Sequence, residues 1–131
     1  MIAVARNAPA VLAWIGLAAH VGVGVVALRR PAGSPAHPLL SLLNLTVAVC
    51  VLAYWARAWY GYVARGVTWY ASDQLMPLYA AAVAVVSGLA LAGRFDGRLG
   101  HGFQWLAFGV DALALAGAAL YLTFARFDRL F

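Results

Sequence analysis

The chain has 131 residues, 66% of them hydrophobic and 10% charged, with mean hydropathy +0.87 and a net charge of +5. A soluble domain is about 45–50% apolar and about 25% charged, and a water-soluble core of this size cannot hide the excess. This excludes a soluble enzyme, a nucleic-acid-binding domain and a disordered regulator. It leaves an integral membrane protein.

Four apolar runs follow one another at residues 8–28, 39–56, 75–93 and 103–125, and each is closed by arginine: Arg29-Arg30, Arg57, Arg94 and Arg126. Crossing a hydrocarbon core ~30 Å thick takes ~20 residues, and a backbone in lipid must satisfy its own hydrogen bonds. The fold class expected is therefore all-α, a single transmembrane domain forming a four-helix bundle, with helices near 8–29, 39–63, 74–93 and 102–126. The first run is longer than the roughly 7–15-residue apolar region of a cleaved signal, and Arg29-Arg30 stand where small cleavage-site residues belong. A retained helix is expected there.

The connectors fit this plan. Residues 29–38 (RRPAGSPAHP) carry three prolines and a glycine, a break signal. Residues 94–102 (RFDGRLGHG) read as a short Gly-rich turn. Residues 57–74 are longer and aromatic, and are expected along the membrane interface. Spacings shared between the halves (Arg30/His37 with Arg94/His101, Asn44/Tyr54 with Asp111/Tyr121) have offsets that differ by three residues, too loose to define a repeat. Arginines divide five against four between the two sides, almost no positive-inside bias. Either orientation, or dual insertion as an antiparallel dimer, fits that division.

All nine basic residues are arginine and all four acidic ones aspartate. The basic pI then meets anionic lipid headgroups more naturally than nucleic acid. Absence of Glu removes Glu-x-x-His di-iron bundles and His-Glu zinc motifs. Cys50, a single cysteine in an apolar run, gives no disulfide framework or thiol metal cluster, and reads as a small buried hydrophobe.

Asp111 is the most informative residue. It lies nine residues beyond Gly102, ~13 Å below the surface at ~1.5 Å per residue. A carboxylate there costs about 2.5–3.5 kcal/mol on insertion scales, so such residues face the bundle and have partners. His20, nine residues before Arg29, reaches the same depth from the same side. Asn44 and Ser87 lie roughly 9–10 Å deep, so all four helices contribute to one polar layer. Gly16, His20 and Gly24 share a face that allows close backbone approach. Gln104, Asp111, Ala114 and Ala118 form a stripe on the fourth helix. Ser41, Asn44, Ala48, Val51, Trp55, Trp59 and Tyr62 form another on the second.

Two readings of the layer compete. As interhelical glue, each such hydrogen bond is worth ~0.6 kcal/mol on average. As an ion or substrate pathway, Asp111, His20, Asn44, Ser87 and Gln104 would line it, with an Asp–His pair passing protons because imidazole titrates near neutrality. A bis-His haem is disfavoured, since only His20 is deep and His37 and His101 sit at the interface. No His-x-x-x-His or Cys cluster points to a metal.

Seven of the seventeen aromatics fall between Tyr54 and Tyr70. An aromatic belt at the headgroups is the ordinary explanation. The alternative is a platform of Trp55, Arg57, Trp59, Tyr62, Arg65 and Trp69 for a quinone, pigment or lipid headgroup. The function expected is a small transporter or channel in a bacterial inner membrane. Four helices can scarcely enclose a pathway, so a homo-oligomer is expected. The alternative is a non-catalytic accessory subunit of a larger respiratory or photosynthetic membrane complex. A membrane enzyme lacks a credible nucleophile or carboxylate pair.

Overall fold

The structure is a computed structural model describing residues 2–29, 38–66, 74–94 and 97–124, with side chains from residue 8 onward. It contains four helices: α1 (Ile2–Leu28), α2 (Pro38–Ala64), α3 (Leu75–Leu91) and α4 (Arg98–Phe124). No strand occurs among the described residues. The expected all-α four-helix bundle is what forms. α2 packs most extensively on α3, and α1 on α4; α2 and α4 also touch across the diagonal, whereas α1 and α3 do not meet. Neighbours α1 and α4 are antiparallel, since Trp14, midway along α1, bonds Thr123 late in α4 while His20, further along α1, meets Phe108 nearer the start of α4. Asn44, early in α2, bonds Gln104, early in its diagonal partner α4.

The polarity of the bundle is the reverse of a soluble one. Its buried hydrophobic residues are Leu40, Val83 and six alanines, while its buried polar residues are His20, Ser41, Asn44, Ser87, Gln104 and Asp111. Large apolar side chains such as Leu12, Ile15, Val85, Leu106 and Leu113 point outward. Lipid tails are as apolar as leucine, so nothing drives large side chains inward; small residues let backbones approach and polar ones bond across helices. α1, α2 and α4 are long and apolar enough to cross a membrane. α3 is equally apolar but has 17 residues, ~26 Å at 1.5 Å per residue.

That shortfall lies at one end. Ser87, Asn44 and Gln104 share one level. From Ser87 to Leu75 is twelve residues, ~18 Å, whereas α2 and α4 each continue twenty residues, ~30 Å, past that level. The last two turns of α2 and α4 therefore overshoot α3. At its other end α3 closes with Gly93 at φ 68°. Arg94 N–H donates to Leu89 O (2.9 Å) and Gly93 N–H to Ala90 O (3.1 Å), the paired bonds of a Schellman cap that favours glycine. Gly66, at φ 65°, plays the matching role after α2.

Boundaries differ from the sequence expectation at two helix starts. α1 begins at Ile2 rather than near residue 8, so Pro9 lies within the helix instead of at its first turn. α4 begins at Arg98 rather than near 102, so 98–102 is helical and not part of a turn. Hydropathy marks where lipid starts, while helices run on through polar residues into the headgroups. The expected end of the fourth helix near 126 and the proline-rich segment 30–37 lie outside the described residues.

Candidate functional site

The expected single polar layer is two tiers along α4. Gln104 is the hub of the first. Asn44 Nδ2 donates to Gln104 Oε1 (2.7 Å) and to its backbone O (2.9 Å). Gln104 Nε2 donates to Ser87 Oγ (3.1 Å), whose hydroxyl lies 3.2 Å from Oε1. All three side chains are fully buried. Helices α2, α3 and α4 are thereby tied together, with one acceptor, Asn44 Oδ1, left over.

The second tier lies deeper, around Asp111. Phe108 is one turn beyond Gln104, and its backbone O is 3.0 Å from His20 Nε2. A carbonyl only accepts, so Nε2 carries the hydrogen and Nδ1 of the neutral ring presents a lone pair. The imidazole also stacks on the Phe108 ring (centroids 4.4 Å apart, planes 9° from parallel). Trp105 packs edge-on to Phe108 and donates from Nε1 to His101 Nε2 (3.2 Å) at the exposed end of α4. Asp111 lies within coulombic reach of both His20 and Tyr79. His20 Nδ1, Asp111 Oδ2 and Tyr79 Oη are all buried without a hydrogen-bond partner among the described residues.

Asp111 and His20 thus lie within coulombic reach of each other, while Asn44 and Ser87 bond Gln104 and not Asp111. Depth counting put Asn44 and Ser87 within ~4 Å of the level of Asp111, whereas the hub they bond, Gln104, is about two helical turns from it. No sequence signal singles out Tyr79, an aromatic within an apolar run. Only the packing of α3 turns it inward.

Two stripes need correction. On α4 the buried positions are Gly100, Gln104, Ala107, Asp111 and Ala119, while Ala114 and Ala118 are exposed. The contact seam drifts around the helix because its C-terminal turns lean on α1, where Trp14 meets Thr123. On α1, Gly24 carries the close approach and Gly16 faces open space. A Cβ on Gly24 would collide with the Phe108 ring. Gly24→Ala is expected to lower stability by about 1–3 kcal/mol, the usual cost of overpacking. Thermal unfolding of the purified protein, with Gly16→Ala as a silent control, measures this. Cys50, expected to be buried, is exposed on α2.

The aromatic and basic platform also divides. Trp55 and Trp59 stack on each other (6.1 Å, 14°), but the inward stripe of α2 ends at half-buried Trp55, and Trp59 and Tyr62 are exposed. Arg57, Tyr62 and Arg65 instead line a separate groove. Trp69 lies outside the described residues. Among the described residues no three His, Cys, Asp or Glu side chains converge.

Comparisons with protein-family models, curated proteins and solved structures returned no match. The reading of this site therefore rests on its own chemistry.

Proposed function

We propose that this chain is a small proton-conducting or proton-coupled membrane transporter of a bacterial inner membrane, working as a homo-oligomer, with Asp111 and His20 as its protonatable couple. The observation that carries this is the contrast between tiers. Gln104, Asn44 and Ser87 spend nearly all their hydrogen-bonding capacity on one another, which is what interhelical glue requires. Asp111 Oδ2, His20 Nδ1 and Tyr79 Oη are ionisable or protic, buried, and unspent. Leaving a buried polar atom unpaired costs about 1–3 kcal/mol, and intramembrane ionisable groups mark ion and proton paths. A proton bound at Asp111 can pass to the bare Nδ1 of His20, turning the neutral acid and imidazole into a carboxylate and an imidazolium.

Four helices provide little room for a path of their own, which favours an assembly of several copies. The accessory-subunit reading makes the opposite prediction about self-sufficiency. The test is to purify the protein from its native membrane, size it, and reconstitute it alone in liposomes containing a pH-sensitive dye. A dimer or larger homo-oligomer that dissipates an imposed pH gradient is expected. Foreign subunits co-purifying with a chain that conducts nothing overturn the proposal.

A further inference from the structure

The groove on the overshooting end of α2 is independent of the polar tiers. It has a volume of about 320 Å³ and is lined by Tyr54, Arg57, Ala58, Gly61, Tyr62 and Arg65. These positions fall at i, i+3, i+4, i+7, i+8 and i+11, one continuous helical face. Counting from Pro38, Arg57 is the twentieth residue of the helix, ~29 Å along it. It therefore stands at the far boundary of a hydrocarbon core ~30 Å thick. Arg65 starts two turns further out, but its guanidinium folds back: Nη2 lies 3.6 Å from the point a Cβ on Gly61 would occupy. Gly61 is thus a bare floor flanked by Arg57 on the membrane side and overlain by Arg65 from the water side.

From these features we infer that the groove binds the headgroup phosphate of an anionic phospholipid. Two guanidiniums about one floor match the oxygens of a phosphate diester, and arginine is the side chain suited to it. Arg57 and Arg65 form no ion pair among the described residues, where Asp111, inside the bundle, is the one carboxylate. Two guanidiniums that no described carboxylate neutralises favour an anionic headgroup over one that carries its own cation. Below Tyr54 the same face continues through Cys50 and Val47, one and two turns into the span. Cys50 is exposed, so an acyl chain has an apolar track leading down from the phosphate. That track distinguishes a lipid from free phosphate.

The test is native mass spectrometry of the full chain in detergent, titrated with phosphatidylglycerol, phosphatidylcholine of equal chain length, and inorganic phosphate. Each basic residue near an anionic surface contributes about a factor of five, so Arg57→Gln with Arg65→Gln should weaken phosphatidylglycerol retention about thirtyfold. Gly61→Leu, which fills the floor while keeping both charges, should weaken it about tenfold, comparable to one lost ion-pairing contact. Arg94→Gln with Arg98→Gln, at the opposite end of the bundle, should change nothing. All substituted positions are at the surface or half-exposed, and helical content by circular dichroism checks their folding. Phosphatidylcholine held as tightly as phosphatidylglycerol, or phosphatidylglycerol unaffected by the double or the Gly61 variant, overturns the inference. Inorganic phosphate displacing the lipid at equal concentration overturns the lipid as occupant.

Discussion

Asp111→Asn is expected to leave the bundle folded and to abolish proton flux. Asp111 Oδ2 has no hydrogen-bond partner to lose among the described residues, and the amide is nearly the same shape. Removing a carboxylate that costs about 2.5–3.5 kcal/mol to place in lipid gives stability equal to or above that of the wild type. The amide cannot take up and release a proton, and a positioned proton-transfer group is worth roughly 10²–10⁴-fold in rate. Flux in reconstituted vesicles should fall by at least about a hundredfold. Asp111→Leu extends the comparison. His20 keeps its bond to Phe108 O, 3.0 Å away, so this variant should also fold while conducting nothing. A fully active Asn variant removes Asp111 from any mechanism and leaves the accessory-subunit reading as the better one.

Gln104→Leu is expected to do the reverse, lowering stability while leaving proton flux intact in the molecules that fold. It removes the acceptor for Asn44 Nδ2 at 2.7 Å and both contacts to Ser87. Asn44 retains the Gln104 backbone carbonyl at 2.9 Å, so it is only half orphaned. Ser87 keeps no partner across the bundle. An interhelical hydrogen bond in lipid averages ~0.6 kcal/mol, but stranding a buried polar group costs about 1–3 kcal/mol. The second effect dominates, for a total near 2–3 kcal/mol. The double variant Gln104→Leu/Asn44→Leu should recover part of that loss, because removing both partners leaves fewer groups stranded. Reversible unfolding in mixed detergent measures all three proteins. A Gln104→Leu protein of unchanged stability that has lost flux would assign the two tiers opposite roles.

Much of the fold was legible in the chain itself because lipid imposes so few solutions. A run such as residues 39–56 must be helical wherever it packs, since no water is present to satisfy its backbone. Depth is also one-dimensional: at a fixed rise per residue, Asp111 and His20 could be matched by counting from Gly102 and Arg29, and in the structure they lie within coulombic reach of each other. The inward stripe from Ser41 to Trp55 followed from helical periodicity in the same way. What counting cannot supply is azimuth, meaning which helix a residue faces at a given depth. Ser87 and Asn44 could equally have met Asp111. They meet Gln104 because α3 and α4 are both packed against α2, while α1 packs chiefly on α4, with a smaller contact to α2, and carries His20 to Phe108. Tyr79 reaches Asp111's surroundings for the same reason, and Ala119 replaces Ala118 in the seam because α4 leans toward Trp14. Arg57 and Trp55 are two residues apart yet face different environments, since a helix turns ~100° per residue and only the neighbouring helices define which direction is inward. Helix existence and depth follow from the solvent and the backbone; the pairing of side chains follows from crossing angles, which are a property of the packed bundle.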